Sequence, residues 1–578
     1  MHIWQKAKFL TMILLLWPFV AFGSANDSLN QQDWIIRNQQ NILEEEKRQK
    51  EFKTLKKVRD NKKKSQELES QDLKVSSKVT QCFVVKEIHL NGASLLSQNQ
   101  QKKITEQFIG QCFVAEILSN LVNLINSHYH NLGYITVQVV VPKQNIVEGV
   151  LHLNVVEGRV EELVLGTGKI SDKMQKFSAF GLVDGEMLNI NHINQGLYQM
   201  NRLSSNLAVM KILPGSEDGQ SRVEIENNKR LPLSLNLSHD NLGNDFTGIR
   251  RSSISAGFDN LLFLNDNINL SYTTNLNNNN SYKDLKSFSA GISIPFGYST
   301  FSFDYYKSEY LGTIIGDVSV TKSTGFSDQK KFGFNYLLFS SANNRLAFDT
   351  SLAIKETASY QNGVKNADSQ RRLVVNDYSM VLSSYFDNST SLYLKPTYSR
   401  GLKILDAKKD LKDLTANEAK AQFEVVKLYA SVSKRFNYKI PFAFVSEFNG
   451  QIAKSALFGS EQFSVGGYYS VRGFRENYIT GDSGYNFRNK LNVNLGSLSG
   501  FSYLNKFSFE PFYDYGFVKT KDGIKDSGRL SGAGFKTIFN GKYFNASITY
   551  GSALQKSRLI TSPVKENKMV YFELSAGI

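Results

Sequence analysis

From about Lys229 to Ile578 the chain is a succession of segments of about ten residues that alternate in polarity, separated by turn clusters rich in Asn, Asp, Ser and Gly. Alternation with a period of two puts successive side chains on opposite faces of a strand. In LPLSLNLSHD, Leu233, Leu235 and Leu237 share one face and Ser234, Asn236 and Ser238 the other. At the far end, Val570, Phe572, Leu574, Ala576 and Ile578 oppose Tyr571, Glu573, Ser575 and Gly577. A soluble sandwich also alternates, but it seldom needs about 350 residues of uninterrupted strands. About sixteen segments begin near Leu233, Ser252, Asn267, Ser287, Ser299, Lys331, Arg345, Leu373, Ser391, Val425, Pro441, Tyr485, Phe507, Arg529, Phe544 and Met569. At about 22 residues per strand with its connection, these are the dimensions of a transmembrane β-barrel over residues 230–578. An even strand number brings both barrel ends to the periplasmic side. A barrel of this width encloses a lumen that side chains alone do not fill, so something else must occupy it.

The N-terminus predicts export. Lys6 and Lys8 precede an apolar run from Phe9 to Val20, followed by Ala21, Gly23, Ser24 and Ala25, which reads as a signal segment over residues 1–25 cleaved after Gly23 or Ala25. The run is too short to span a bilayer as a helix, and no later stretch reaches the length a transmembrane helix needs. In an exported chain the two cysteines, Cys82 and Cys112, with no His or third Cys at ligand spacing, predict a disulfide, worth about 3–4 kcal/mol to its domain, rather than a metal pair. The net charge of +15 invites a nucleic-acid reading, but no aromatic-basic recognition module accompanies it. Lys and Arg lining a lumen, or meeting anionic lipid head groups, account for it better.

Between these ends lie three further segments. Residues 26–78 are polar, with a helical candidate, DWIIRNQQNILEEEKRQKEFKTLKK, whose apolar positions Trp34, Ile35, Leu43 and Phe52 are too sparse for a core helix. Composition leaves a helix lodged in a wet cavity and a solvated leader equally open. Residues 79–157 then read as strand FVVKEIHL, a helix around Ile104 to Ile109, a helix bearing Ile117, Leu118, Leu121, Leu124 and Ile125, and strands YITVQVVVP and GVLHLNVVEG. A second cycle over residues 158–229 runs from strand VEELVLG through helical stretches between Ser171 and about Leu203 to strands LAVMKILP and SRVEIENN. The repeated order predicts two small α/β domains rather than one.

One connection of the barrel stands out. Residues 456–484 are among the longer ones, fall on the outer side by strand count, and carry GGYYSVRGFRE. In the following strand, KFSFEPFYDYGFVK, parity puts Phe507, Phe509, Tyr513, Tyr515 and Phe517 toward lipid and Ser508, Glu510, Phe512, Asp514 and Gly516 toward the lumen. A loop folded back into the barrel could then latch through a charge-assisted pair between Arg472 and Asp514. Spacing alone leaves open whether the two meet.

Val471-Arg472-Gly473-Phe474, followed by Phe512-x-Asp514-x-Gly516 on a barrel strand, resembles the paired motifs of the outer-membrane barrels that carry periplasmic POTRA domains. Within that superfamily the chain resembles the two-partner secretion transporters of the TpsB, or haemolysin-activator, type. The residues behind this are a Gln- and Arg-containing N-terminal helix, a first domain bearing Cys82 and Cys112, NLGYITVQVVVPKQNIVEGVLHLNVVEGRVE at that domain's end, and two domains before the barrel. The resemblance implies an N-terminal plug helix, two POTRA domains and a barrel of about sixteen strands, with Arg472 held on Asp514 inside. It also implies that the POTRA domains capture a large, secreted, β-helical exoprotein of TpsA type for export without ATP at the outer membrane. Further partners are outer-membrane lipids, and periplasmic chaperones and the barrel assembly machinery during biogenesis. An assembly factor that inserts other barrels is the alternative, although such factors usually carry more POTRA domains and no plug. Two positions depart from the family pattern: Ile578 ends a terminal strand (with Phe572 and Leu574) that usually closes in an aromatic residue, and Phe474 stands where Tyr is frequent.

Enzymatic signatures are missing from the sequence. Its seven histidines are scattered, no G-x-S-x-G elbow or H-E-x-x-H occurs, and Gly166-Thr167-Gly168 reads as a turn rather than a phosphate loop. No cofactor and no nucleic acid is expected.

Overall fold

The computed structural model describes Asp33 and residues 83–578, apart from 147, 276–281, 316–319, 342, 388, 416, 476, 497–503, 522–526 and 561–567. The expected signal segment, and the plug segment except for Asp33, lie outside the described residues.

The first small domain runs β1 (Phe83–Val84), β2 (Glu87–Asn91), α1 (Gln98–Glu106), β3 (Cys112–Phe113), α2 (Ala115–Asn131), β4 (Gln138–Val140) and β5 (Val150–Val156). β5 pairs parallel with β2 and antiparallel with β4. Leu121, Ile125 and Tyr129, four residues apart on α2, form one stripe buried against Leu151, Leu153 and Val155 of β5. The sequence places a helix around Ile104 to Ile109, whereas α1 starts at Gln98 and ends at Glu106. The reason is a capping box, in which the Ser97 hydroxyl accepts from the Gln100 backbone and the Gln100 amide oxygen accepts from the Ser97 N–H.

The second domain repeats the plan with β6 (Arg159–Leu165), α3 (Ile170–Phe180), α4 (Ile190–Asn201), β7 (Ala208–Pro214) and β8 (Gln220–Asn227). β8 runs parallel to β6 and antiparallel to β7, over a core that includes Leu163, Phe180, Leu188, Met200 and Val223.

Sixteen antiparallel strands then close into a barrel among the described residues: β9 (Leu233–Asp240), β10 (Arg251–Asp259), β11 (Asn267–Thr274), β12 (Asp284–Phe296), β13 (Ser299–Ile315), β14 (Val320–Ser340), β15 (Asn344–Gln361), β17 (Arg371–Phe386), β18 (Thr390–Leu402), β19 (Glu424–Phe436), β20 (Phe442–Ala453), β23 (Ser483–Gly496), β24 (Leu504–Lys519), β25 (Ser527–Gly541), β26 (Phe544–Gln555) and β27 (Lys568–Gly577). A short β16 (Val364–Lys365) folds back on the end of β15, and β21 (Phe463–Val465) and β22 (Ile479–Gly481) pair with each other inside the β20–β23 connection. The strand starts fall within three residues of those read from sequence except at β14, which begins at Val320 rather than near Lys331. Leu235, Leu237, Tyr513, Val570 and Leu574 are exposed on the outer face, while Asp514, Glu510 and Tyr571 are buried toward the lumen.

The second domain is fastened to one end of the barrel. Arg202, just beyond α4, donates to Ser293 Oγ (2.5 Å) and to the Asn265 carbonyl (2.8 Å). Asn265 Nδ2 donates to Gln175 O (2.8 Å) and Ser178 Oγ (2.7 Å) of α3, and Gln195 and Gln199 of α4 donate to the Gly297 carbonyl. These contacts fall on the β10–β11 and β12–β13 turns and on the last residues of β12, which strand parity from β9 puts at the end where the chain enters. The β20–β23 connection belongs to the opposite end.

Candidate functional site

The β20–β23 connection leaves its rim and enters the lumen. A short 3-10 turn, Gly459–Glu461, presents Glu461 to Lys355 Nζ of β15 (2.8 and 3.0 Å), and Gln451 of β20 donates to the Glu461 and Asp482 carbonyls. The β21–β22 pair then carries the tip, residues 466–478, between its strands.

Arg472 lies at this tip, 2% exposed, against Asp514 of β24, which is 0% exposed. Its Nε donates to Oδ2 and its Nη2 to Oδ1, both at 2.7 Å, and its backbone N–H adds a third bond to Oδ2 at 3.1 Å. This two-pronged geometry matches a planar guanidinium to a planar carboxylate and fixes orientation as well as distance. The guanidinium also lies 3.4 Å from the centroid of the Phe512 ring, so the cation is covered by a π face. Both charges are out of water, so neither can be removed alone without leaving the other uncompensated.

The remaining motif residues make the seat close-fitting. Val471 and Phe474 are buried in a cluster with Phe463, Val465, Ile479, Val518 and Leu530, and the Phe474 carbonyl accepts from Tyr571 Oη at 3.0 Å. Gly473 has φ +104°, and a Cβ there would meet the Ser552 carbonyl carbon at 2.7 Å. Gly516 faces Val465 so closely that a Cβ would stand 2.3 Å from Val465 Cγ1. Sequence reasoning missed Gly532 of β25, whose position leaves no room for a Cβ because the Arg472 carbonyl would be 1.9 Å from it. Its signal was a small residue at lumen-facing parity one strand beyond Asp514, register partner of Asp514 itself.

Lys355, Arg371 and the tyrosines of the loop were also unread. Tyr468 Oη donates to Glu573 of β27 at 2.5 Å, where Lys536 Nζ of β25 also donates at 2.7 Å. Asp33, the sole described residue ahead of Phe83, is buried in the lumen, where Arg371 Nη2 of β17 donates to its Oδ1 at 2.6 Å. The same carboxylate lies against Gly459 of the loop, whose Cβ would meet Oδ2 at 2.0 Å.

The other expected residues lie elsewhere. Cys112, on β3, is disulfide-bonded, while Cys82 lies outside the described residues. Leu574 and Ile578 are exposed on the outer face of the terminal segment, Phe572 contacts the His239 ring there, and Ile578 N–H donates to Leu235 O at 3.0 Å. Among the described residues no group of three or more His, Cys, Asp and Glu side chains could hold a metal ion.

The order of domains is shared with known proteins. The family of the haemolysin secretion/activation protein ShlB/FhaC/HecB matches residues 219–537, the ShlB-type POTRA domain matches 83–158, and a further POTRA domain matches 159–214. The chain is 32% identical over 416 residues to the outer membrane transporter CdiB of Dickeya dadantii strain 3937, covering 71% of this chain and 72% of that one. It is 27% identical over 501 residues to the Hemolysin transporter protein HpmB of Proteus mirabilis, covering 84% of each. The solved structure of CdiB from Escherichia coli superposes with a TM-score of 0.83 at 25% identity, covering 95% of this chain and 99% of that one. CdiB from Acinetobacter baumannii has the same fold, with a TM-score of 0.75 at 21% identity over 95% and 99% of the two chains. With two POTRA domains matched ahead of a closed sixteen-stranded barrel and the family match running over residues 219–537, the chain belongs to the haemolysin secretion/activation family of outer-membrane transporters.

Proposed function

We propose that this protein carries one large exoprotein from the periplasm to the cell surface through its barrel. The observation that supports this most is the lumen itself: it is wide, closed, and occupied by a loop pinned through Arg472 to Asp514 rather than by a packed core. A passive pore needs neither this pin nor two domains fastened at its entrance.

In this reading residues 1–25 direct export and are removed. Residues 26–78 plug the resting lumen, with Asp33 held between Arg371 and Gly459. The domains at 79–157 and 158–229 take up the N-terminal secretion region of an unfolded, β-helical exoprotein of haemolysin, adhesin or contact-dependent toxin type. They do so by adding strands to free sheet edges and by apolar contact. β7 supports this, because it is an edge strand with Val209 and Leu213 exposed. A Cys82–Cys112 disulfide ties the start of the first domain to β3. The outward residues Phe572, Leu574 and Ile578 present the terminal strand to chaperones and to the assembly machinery that inserts the barrel. Export proceeds once the plug withdraws, and folding of the cargo outside makes it directional. No bond is made or broken, so the reading assigns no catalytic residue and no cofactor.

The test compares a strain lacking this chain with strains complemented by the wild type or by Arg472→Ala. Loss of one large surface protein, restored by the wild type and not by the variant, with other outer-membrane barrels unaffected, is the expected result. Loss of many barrels together would instead make the protein an assembly factor.

A further inference from the structure

The barrel closes where β27 meets β9. Facing residues there run only from Glu573 and Asp240 to Gly577 and Asn236, whereas β26 faces β27 from Lys568 to Ala576. Leu235 and Ile578 exchange both backbone hydrogen bonds, at 3.3 and 3.0 Å. Counting along the antiparallel ladder, Asp240 and Glu573 therefore fall at a non-hydrogen-bonded position, where facing Cα atoms lie about 4.5 Å apart. Both belong to the lumen-facing set, so two carboxylates oppose each other across the seam, an arrangement that destabilises a strand pair.

Each carboxylate has its own cation. Arg251 donates to Asp240 through Nε (2.9 Å) and Nη2 (3.0 Å), and Lys536 Nζ donates to Glu573. The inward loop adds a hydroxyl to one of these pairs, Tyr468 donating to Glu573, and Tyr469 packs beside it. The two rings meet edge-on at 5.3 Å and pack on Leu242, just beyond β9, and on Met569 and Tyr571 of β27. Two consecutive loop residues thus touch both sides of the seam.

We infer that Tyr468, braced by the Tyr469 ring, is a positioning residue that holds the closing seam in register by screening the facing carboxylates, so that the seam is tight only while the loop is seated. The inference rests on the export reading only for the event that moves the loop, and its test uses no cargo. Ser238→Cys and Ser575→Cys, facing across the seam, are introduced into the full chain, and brief oxidation in outer membranes is followed by mass spectrometry of the linked peptides. Adding Tyr468→Phe, which keeps the ring, is expected to lower the linked yield about two- to fivefold, the range of a cross-strand pair. Glu573→Gln, which removes the charge but keeps an oxygen for Lys536, is expected to restore the yield in that background. An unchanged yield in the Tyr468→Phe variant overturns the inference, and so does a fall that Glu573→Gln does not restore. Glu573→Gln alone, with the loop intact, is expected to match or exceed the parent, and a lower yield counts equally against it.

Discussion

Asp514 has no water to fall back on. With its partner removed, a buried carboxylate is left uncompensated, at a cost of about 3–5 kcal/mol. Arg472→Ala is therefore expected to unseat the loop while β24 keeps both ladder neighbours, and protease cleavage within residues 466–478 of membrane-inserted protein measures this. Arg472→Ala with Asp514→Asn is expected to be less cleaved than Arg472→Ala alone, because the orphaned charge is gone. Gly516→Ala is expected to loosen the same seat by about 1–3 kcal/mol, since the new methyl collides with Val465, and Val465→Ala in that chain is expected to reverse much of it. The arginine and its aspartate were legible only through the paired motifs, because parity leaves two inward carboxylates, Glu510 and Asp514, and spacing leaves their meeting with Arg472 open. Gly532 was not, because its constraint is an atom of another strand's loop brought within 1.9 Å of a Cβ that does not exist. Tyr468 and Lys536 are ordinary residues until three strands bring them to Glu573.

Elements show the same division. Strands were readable wherever one face meets lipid and the other water, because the medium itself writes the alternation. β14 breaks the pattern: at 21 residues it is about twice the length a tilted strand needs to cross the membrane, and its first half, VTKSTGFSDQKK, carries no run of alternating apolar residues. Small-domain helices were placed less well, since a capping box rather than apolar spacing decides where α1 begins. In the second domain the β7–β8 turn is clamped to β6 by Glu161. The Ser216 hydroxyl donates to one carboxyl oxygen at 2.7 Å and the Ser216 N–H to the other at 3.0 Å, and these bonds hold the Glu161 carboxyl below its ordinary range. A depressed carboxylate contributes its stabilisation above its unfolded value of about 4.3 and loses it as pH falls further. Amide exchange at Ser216 is expected to be slow at neutral pH and to gain an added opening term below about pH 4, and Glu161→Gln is expected to abolish that pH dependence.

At the scale of the whole molecule, the barrel, the two α/β domains and their order could be read before any coordinates, whereas the way they are fastened together could not. The second domain grips two barrel turns through Arg202, Asn265 and Gly297, a set drawn from residues up to 102 positions apart that no local pattern links. Deleting residues 26–50 is expected to raise single-channel conductance or open time in planar bilayers, because Asp33 of that segment occupies the lumen beside Arg371; unchanged currents would return the segment to a solvated leader. The closing seam also sets an order of assembly. Asn241 and Phe572, 331 residues apart, join only when the last strand has been made, and the inward loop lies within the ring they complete. Contacts of such separation form late. A chain truncated before β27 therefore lacks both the lid of the ring and the floor on which Tyr468 and Tyr469 rest, so closing the barrel and completing the seat of the inward loop are one event.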